Sequence, residues 1–249
     1  IIMSLSILTY FIGSFYIINT TFHISNNLTK YLFDNKYINL PMYKFDKINE
    51  VIYSSFHCIL VSFLSFLCFD RPTVDYNSYF NFKLENKVED NNLMIVTLSL
   101  SLSYFIIDLF RCLYFKKYLF IIHHVCASFL LTHHLYLIKN DYNHGMYAIH
   151  TLFLLESNNI LLNIGFLLKE FNFHYSITCT SWIIHLLFFI MFRLIQFPKI
   201  MVLYLLNDFN FIHYCIQLPN IIMIYMGSLY WAYRQLNGIN KYLKENCVI

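Results

Sequence analysis

Apolar residues gather along this chain in long runs broken by short polar connections. A helix crossing the hydrocarbon core of a bilayer needs about 20 such residues. Stretches 2–22, 47–69, 92–115, 118–138, 144–168, 176–197 and 211–233 meet that length. The pattern predicts an all-α, multi-pass integral membrane protein with about seven transmembrane helices. The connections are short except for 23–46 and 70–91, and neither an internal repeat nor a break in composition divides the chain. The first run lacks the basic start and small-residue cleavage site of a signal peptide, so it reads as an anchor.

Composition agrees with a membrane class. Charged residues make up 12% of the chain, about half the usual share in soluble domains. Aromatic residues reach 20%, with only 5 Gly and 4 Pro, which argues against long irregular segments. The abundance of Ile, Asn, Lys, Tyr and Phe points to an AT-rich genome, so a single Asn or Tyr carries little weight. The formal charge of +3 is mild and no basic tract suggests a nucleic-acid partner. The 7 cysteines lie mostly inside apolar runs and form no CxxC pair, so they read as buried thiols.

Lys and Arg outside the spans set the expected orientation. With the N-terminus on the non-cytosolic side, Lys30, Lys36, Lys44, Lys47, Arg111, Lys116, Lys117, Lys169, Arg234, Lys241 and Lys244 face the cytosol, as does the C-terminus. The opposite side holds Arg71, Lys83, Lys87, Lys139 and Lys199. Asn19-Thr20-Thr21 and Asn27-Leu28-Thr29 match the glycosylation sequon, the second on the cytosolic side of this arrangement.

Ionisable groups inside a bilayer are costly, about 2.5–3.5 kcal/mol for an Asp, Lys or Arg at a helix centre, and they mark interiors and wet cavities. Asp108, Glu156 and Arg193 lie within the third, fifth and sixth runs. His57, His123, His124, His133, His134, His150 and His185 add imidazoles. Asn159 and Asn163 follow Glu156 at i+3 and i+7 and share its helical face. That stripe is either interhelical hydrogen bonding or a group that holds a histidine proton or a lipid amine. His123 and His124 point about 100° apart on a helix, so one of them faces a given cavity squarely. His133 and His134 fall at the far end of the same helix and are expected at the interface. Arg193 either snorkels or turns inward. His57 and His185 read as packing groups, and Tyr104 and Trp231 as interfacial aromatics.

A histidine beside a carboxylate serves as a general base or acyl acceptor, which suits acyl transfer to a lipid amine. Metal binding competes, since His and carboxylates at helical spacing hold iron. The HxxHH boxes of membrane di-iron enzymes are missing, however, and no metal site is expected.

These residues occur in an order that resembles the TLC-domain family, which includes ceramide synthases and translocating-chain-associating membrane proteins. SSFHC places Ser54 and His57 on the family's Ser-x-x-His. SYFIIDL keeps Tyr104 and Asp108, with Ser103 in place of Gly, and IIHH supplies the paired His123 and His124. LLESNNILLN keeps Glu156 and Asn163 of the smaller TLC-domain proteins. Arg193 fits the next helix, and LYWAYR, with Trp231, resembles the closing motif. The resemblance runs from about 47 to 235. It leaves 1–46 as an N-terminal anchor with a cytosolic connector, and 236–249 as a short cytosolic tail. There are departures. The HDxxD of ceramide synthases is absent, since His150 opens HTLFL where that motif would stand. Asn158, Ile160 and Gly165 also differ from common family residues.

The resemblance implies a six-helix bundle or barrel around a lipid-accessible cavity, in the endoplasmic reticulum or a related endomembrane. His123, His124, Asp108 and Glu156 would be its catalytic candidates. His57, Tyr104, His150, Asn159, Asn163 and Arg193 would contact lipid. Membrane lipids are the implied partners, with a homodimer left open. The implied function is lipid binding that adjusts membrane composition. The alternative is ceramide-synthase-like N-acylation of a sphingoid or related amine. No cofactor is implied beyond acyl-CoA as co-substrate for such an enzyme. A structural or translocation-associated role and a metal-dependent lipid oxidase rank lower.

Overall fold

A computed structural model of the chain describes residues 5–34, 44–69, 91–138, 142–207 and 211–246. Lys36, Arg71, Lys83, Lys87, Lys139 and Cys247 lie outside the described residues. The described chain is helical almost throughout, with no strand among the described residues. In order come α1 (Leu5–Asp34), α2 (Phe45–Phe69), α3 (Asn91–Tyr114), α4 (Tyr118–Leu137), α5 (Tyr142–Glu170), α6 (Tyr175–Phe189), a π-helical segment (Ile190–Gln196), α7 (Phe197–Asn207) and α8 (Phe211–Asn246).

Among the described residues, six stretches are long and apolar enough to cross a membrane: Ser6–Asp34, Phe45–Cys68, Asn92–Tyr114, Tyr118–Leu137, Gly145–Glu170 and Tyr175–Val202. The chain is a multi-pass integral membrane protein. The expected seventh run, 211–233, does form a helix, but Gln217, Pro219 and Asn220 interrupt its apolar character. The first run extends further than its apolar stretch, since α1 continues through 23–34. Ser25 Oγ donates to Asn49 Oδ1 at 2.6 Å, tying that extension to α2. Thr29 of the second sequon is fully buried and donates to Ser25 O at 2.8 Å.

Helix pairings close a ring. α2 packs on α5, α5 on α6, α6 on α8, α8 on α4, α4 on α3, and α3 returns to α2. α5 also touches α3, α4 and α7, so it leans into the ring and narrows its interior. α1 lies against α3 and α2. The outward faces carry the apolar residues that bilayer lipid would cover, among them Ile12, Tyr16, Phe63, Phe110, Phe129 and Leu187.

Two tight joints set the ring's geometry. The α3–α4 turn places Lys116 at φ 55°, with Lys117 N–H bonded to Cys112 O at 2.9 Å. The α5–α6 turn places Asn172 at φ 55°, with Phe173 N–H bonded to Leu168 O at 3.0 Å. Both are Schellman closures, which satisfy carbonyls left open at a helix end and ask for a left-handed residue. Asn tolerates that conformation; a lysine is strained by about 1–2 kcal/mol. Ion pairs gather at one end of the bundle. Lys44 and Lys47 reach Glu170 at 2.7 and 3.0 Å, and Lys117 reaches Glu50. These join the start of α2 to the end of α5 and the start of α4.

Candidate functional site

The polar stripe of α5 lies against α2. Glu156 is 4% exposed, and its Oε2 accepts from Asn159 Nδ2 at 3.2 Å and from Cys58 Sγ at 3.3 Å. His57 Nε2 stands 3.7 Å from the same oxygen. One turn further along, Asn163 Nδ2 donates to Ser54 Oγ at 3.3 Å. Ser54 and Cys58 are one helical turn apart, so a single face of α2 meets the whole stripe. The helical periodicity that aligned Glu156, Asn159 and Asn163 therefore reports a real contact surface. Cys58 is a partner that the sequence reading did not single out.

His57 stacks on Tyr104, with ring centroids 3.8 Å apart and planes inclined by 2°. Both are buried. This corrects the expectation of Tyr104 as an interfacial aromatic: its ring fills the space between α2 and α3 inside the bundle. Trp231 is half-buried, its ring 5.0 Å from His123 and 5.5 Å from the exposed Phe120.

Arg193 turns inward. It is 3% exposed and donates from Nη2 to Leu155 O at 2.6 Å and to Asn159 Oδ1 at 3.1 Å. Asn159 thus stands between the guanidinium and Glu156, accepting from one and donating to the other. Pro198 has no N–H to give to the turn before it, and α6 passes through the π-helical segment Ile190–Gln196 just ahead of it. Arg193 follows His185 and Phe189 at i+8 and i+4, and all three are buried on one face of this helix.

The first histidine pair divides as its 100° separation requires. His124 is buried, with Nε2 3.4 Å from Asp108 Oδ2. Asp108 also accepts from Arg111 Nη1 at 3.1 Å. Cys112 Sγ lies 3.6 Å from Asp108 Oδ2. Asp108, Cys112 and His124 together bring their ligand atoms within 4.8 Å of one another, which makes them the candidate metal ligands among the described residues. His123 points elsewhere, into a cavity of about 50 Å³ between α3, α4, α5, α7 and α8.

That cavity is walled mostly by aliphatic and aromatic side chains, with His123, His134, Thr151 and Glu156 as its polar members. Its volume suits a few waters or a small polar group. His134 is a correction. The second pair was expected at the interface, yet His133 and His134 are 6% and 5% exposed. His134 packs its ring 5.7 Å from Tyr204, so α7 covers this end of α4. Periodicity did put His134 on the face of His123; position near the helix end was the misleading signal.

His150 contributes least to this arrangement. Its Nδ1 lies 2.9 Å from Met146 O within its own helix, and it does not line the cavity. Asp108 and His124 likewise stand off the cavity wall. Gly165 has a local reason: the Trp182 ring occupies the place a Cβ would need, so a basic side chain has no room there.

A sequence profile of the TLC domain matches residues 47–237. No curated protein and no solved structure matches the chain.

Proposed function

We propose a lipid-handling role for this chain, which belongs to the TLC-domain family. Its cavity would receive the polar tip of a membrane lipid, an amine or hydroxyl, while the acyl chains stay among the bundle's apolar faces. The observation that carries this reading is the placement of Glu156, His123, His134 and Thr151 on the wall of a mostly apolar cavity inside a membrane bundle. A buried carboxylate receives an ammonium or hydroxyl donor, and an imidazole accepts or donates with either nitrogen. Arg193 and Asn159 hold Glu156 from behind, which leaves the cavity side open to a ligand. By this route the protein would sense or adjust membrane lipid composition.

A second reading is N-acylation of a sphingoid or related lipid amine by acyl-CoA. The 3.4 Å approach of His124 to Asp108 favours it, because a carboxylate orients a histidine as general base. The absence of HDxxD weighs against it: His150, at that position, bonds its own helix and is followed by Thr151 and Leu152. The family supports an endomembrane such as the endoplasmic reticulum, and the bias of Lys and Arg between the two sides supports a non-cytosolic N-terminus. Membrane lipids are the proposed partners, and a homodimer stays open.

The two readings separate by untargeted lipidomics of cells expressing wild type or His123→Ala/His124→Ala at equal membrane levels. Lipid handling predicts no new acylated product, and a lipid that co-purifies with wild type and is lost in the double variant. A new acyl amide, lost in the variant, would establish the second reading. Wild-type protein that purifies without any stoichiometric lipid would overturn the first.

A further inference from the structure

Asp108 and Cys112 are one turn apart on α3 and face the same way. His124 reaches them from α4, across the tight joint at Lys116. All three are buried. Asp108 Oδ2 lies 3.4 Å from His124 Nε2 and 3.6 Å from Cys112 Sγ. The first of these is long for an N–H···O hydrogen bond. Both match the edges of a tetrahedron around zinc, since metal–ligand bonds of 2.0–2.3 Å separate neighbouring ligands by about 3.3–3.8 Å.

We propose that Asp108, Cys112 and His124 form a zinc-type divalent metal site, independent of the lipid cavity. A carboxylate, a thiolate and an imidazole are the donor types that a borderline-soft cation selects. Metal entry releases the Cys112 thiol proton to water. The thiolate and the carboxylate bring two negative charges to the dication, and the one positive charge that Arg111 adds sits on a side chain that is 16% exposed. Arg111 already holds the other carboxylate oxygen, Oδ1, at 3.1 Å, and so fixes the orientation of Asp108 without occupying Oδ2. His124 is 4% exposed and, among the described residues, its Nδ1 has no hydrogen-bond partner. Its ring is therefore oriented by its neighbours Phe105 and Tyr104 and by the Asp108 cluster. Three protein ligands leave a fourth position for water. The assignment does not rest on the lipid-handling reading, and it competes with the acyltransferase reading for His124 Nε2.

The test uses the full chain in detergent, stripped with a chelator and titrated with Co²⁺. One equivalent per chain is expected, with thiolate-to-cobalt charge-transfer absorption. Cys112→Ser should abolish that absorption and weaken binding by more than about tenfold. Cys68→Ser, which removes a buried thiol of α2, should leave both unchanged. Co-purifying lipid should be the same in wild type and Cys112→Ser, because Cys112 does not line the cavity. Folded wild type that takes up no Co²⁺, or absorption that survives Cys112→Ser, would overturn the assignment. Should Cys112→Ser fail to fold, Asp108→Asn must show the same loss of absorption, and its persistence there would overturn the assignment equally.

Discussion

Asp108 and Glu156 are both carboxylates buried within membrane-spanning helices, and the bundle treats them differently. Asp108 has a cation on its own helix three residues away, at 3.1 Å, and Arg111 is 16% exposed along its side chain. The hydrogen bonds to Glu156 come from neutral donors, Asn159 and Cys58, and its countercharge, Arg193, comes from another helix and bonds Asn159. Arg193 is itself sealed inside. Glu156 opens on a cavity, and Asp108 does not. A carboxylate that an arginine of its own helix holds by one oxygen has a fixed orientation, with the other oxygen turned to Cys112 and His124. One held on Oε2 by an amide and a thiol keeps Oε1 available for something that enters.

The largest expected effect comes from deleting either charge. Glu156→Ala leaves Arg193 buried without a carboxylate and should cost about 3–5 kcal/mol. Asp108→Asn leaves an arginine that reaches water and should cost about 1.5–3 kcal/mol. Denaturant unfolding in mixed micelles measures both, and equal losses would erase the distinction. Next comes the clamp on the Glu156 helix. Gly165→Val drives a side chain into Trp182 and should cost about 1–3 kcal/mol through overpacking. Lipid retention should fall with it if α5 must keep its lean. Smallest is the joint beside Asp108. Lys116→Gly relieves left-handed strain and should stabilise by about 1 kcal/mol. Lipid retention should stay unchanged, since that joint does not touch the cavity.

The sequence made much of this legible where a side chain's direction follows from an ideal helix. The stripe of Glu156, Asn159 and Asn163 and the split of His123 from His124 are both consequences of 100° per residue. The family was readable because the motifs fall on separate apolar runs in order; the six-helix ring followed from that resemblance, while the runs alone predicted about seven spans. Direction stayed open for Arg193, since snorkelling and inward placement suit an arginine equally well; its inward turn follows the buried face that His185 and Phe189 already mark. Depth failed where it was inferred from distance along one helix. His134 near the end of α4 is interior because Tyr204 of α7 packs over it, and no local pattern in α4 reports what its neighbours cover. Tyr104 gave no signal apart from the family motif, since a ring that stacks on a histidine is spelled like any other tyrosine of a tyrosine-rich chain.

The central claim is that the Glu156 cavity, rather than the Asp108 cluster, holds a lipid's polar tip. Native mass spectrometry of purified wild type, Glu156→Gln and Asp108→Asn tests it most directly. The expected result is a stoichiometric lipid adduct on wild type and Asp108→Asn that is lost from folded Glu156→Gln. An adduct that survives Glu156→Gln, or that disappears with Asp108→Asn alone, would contradict the account.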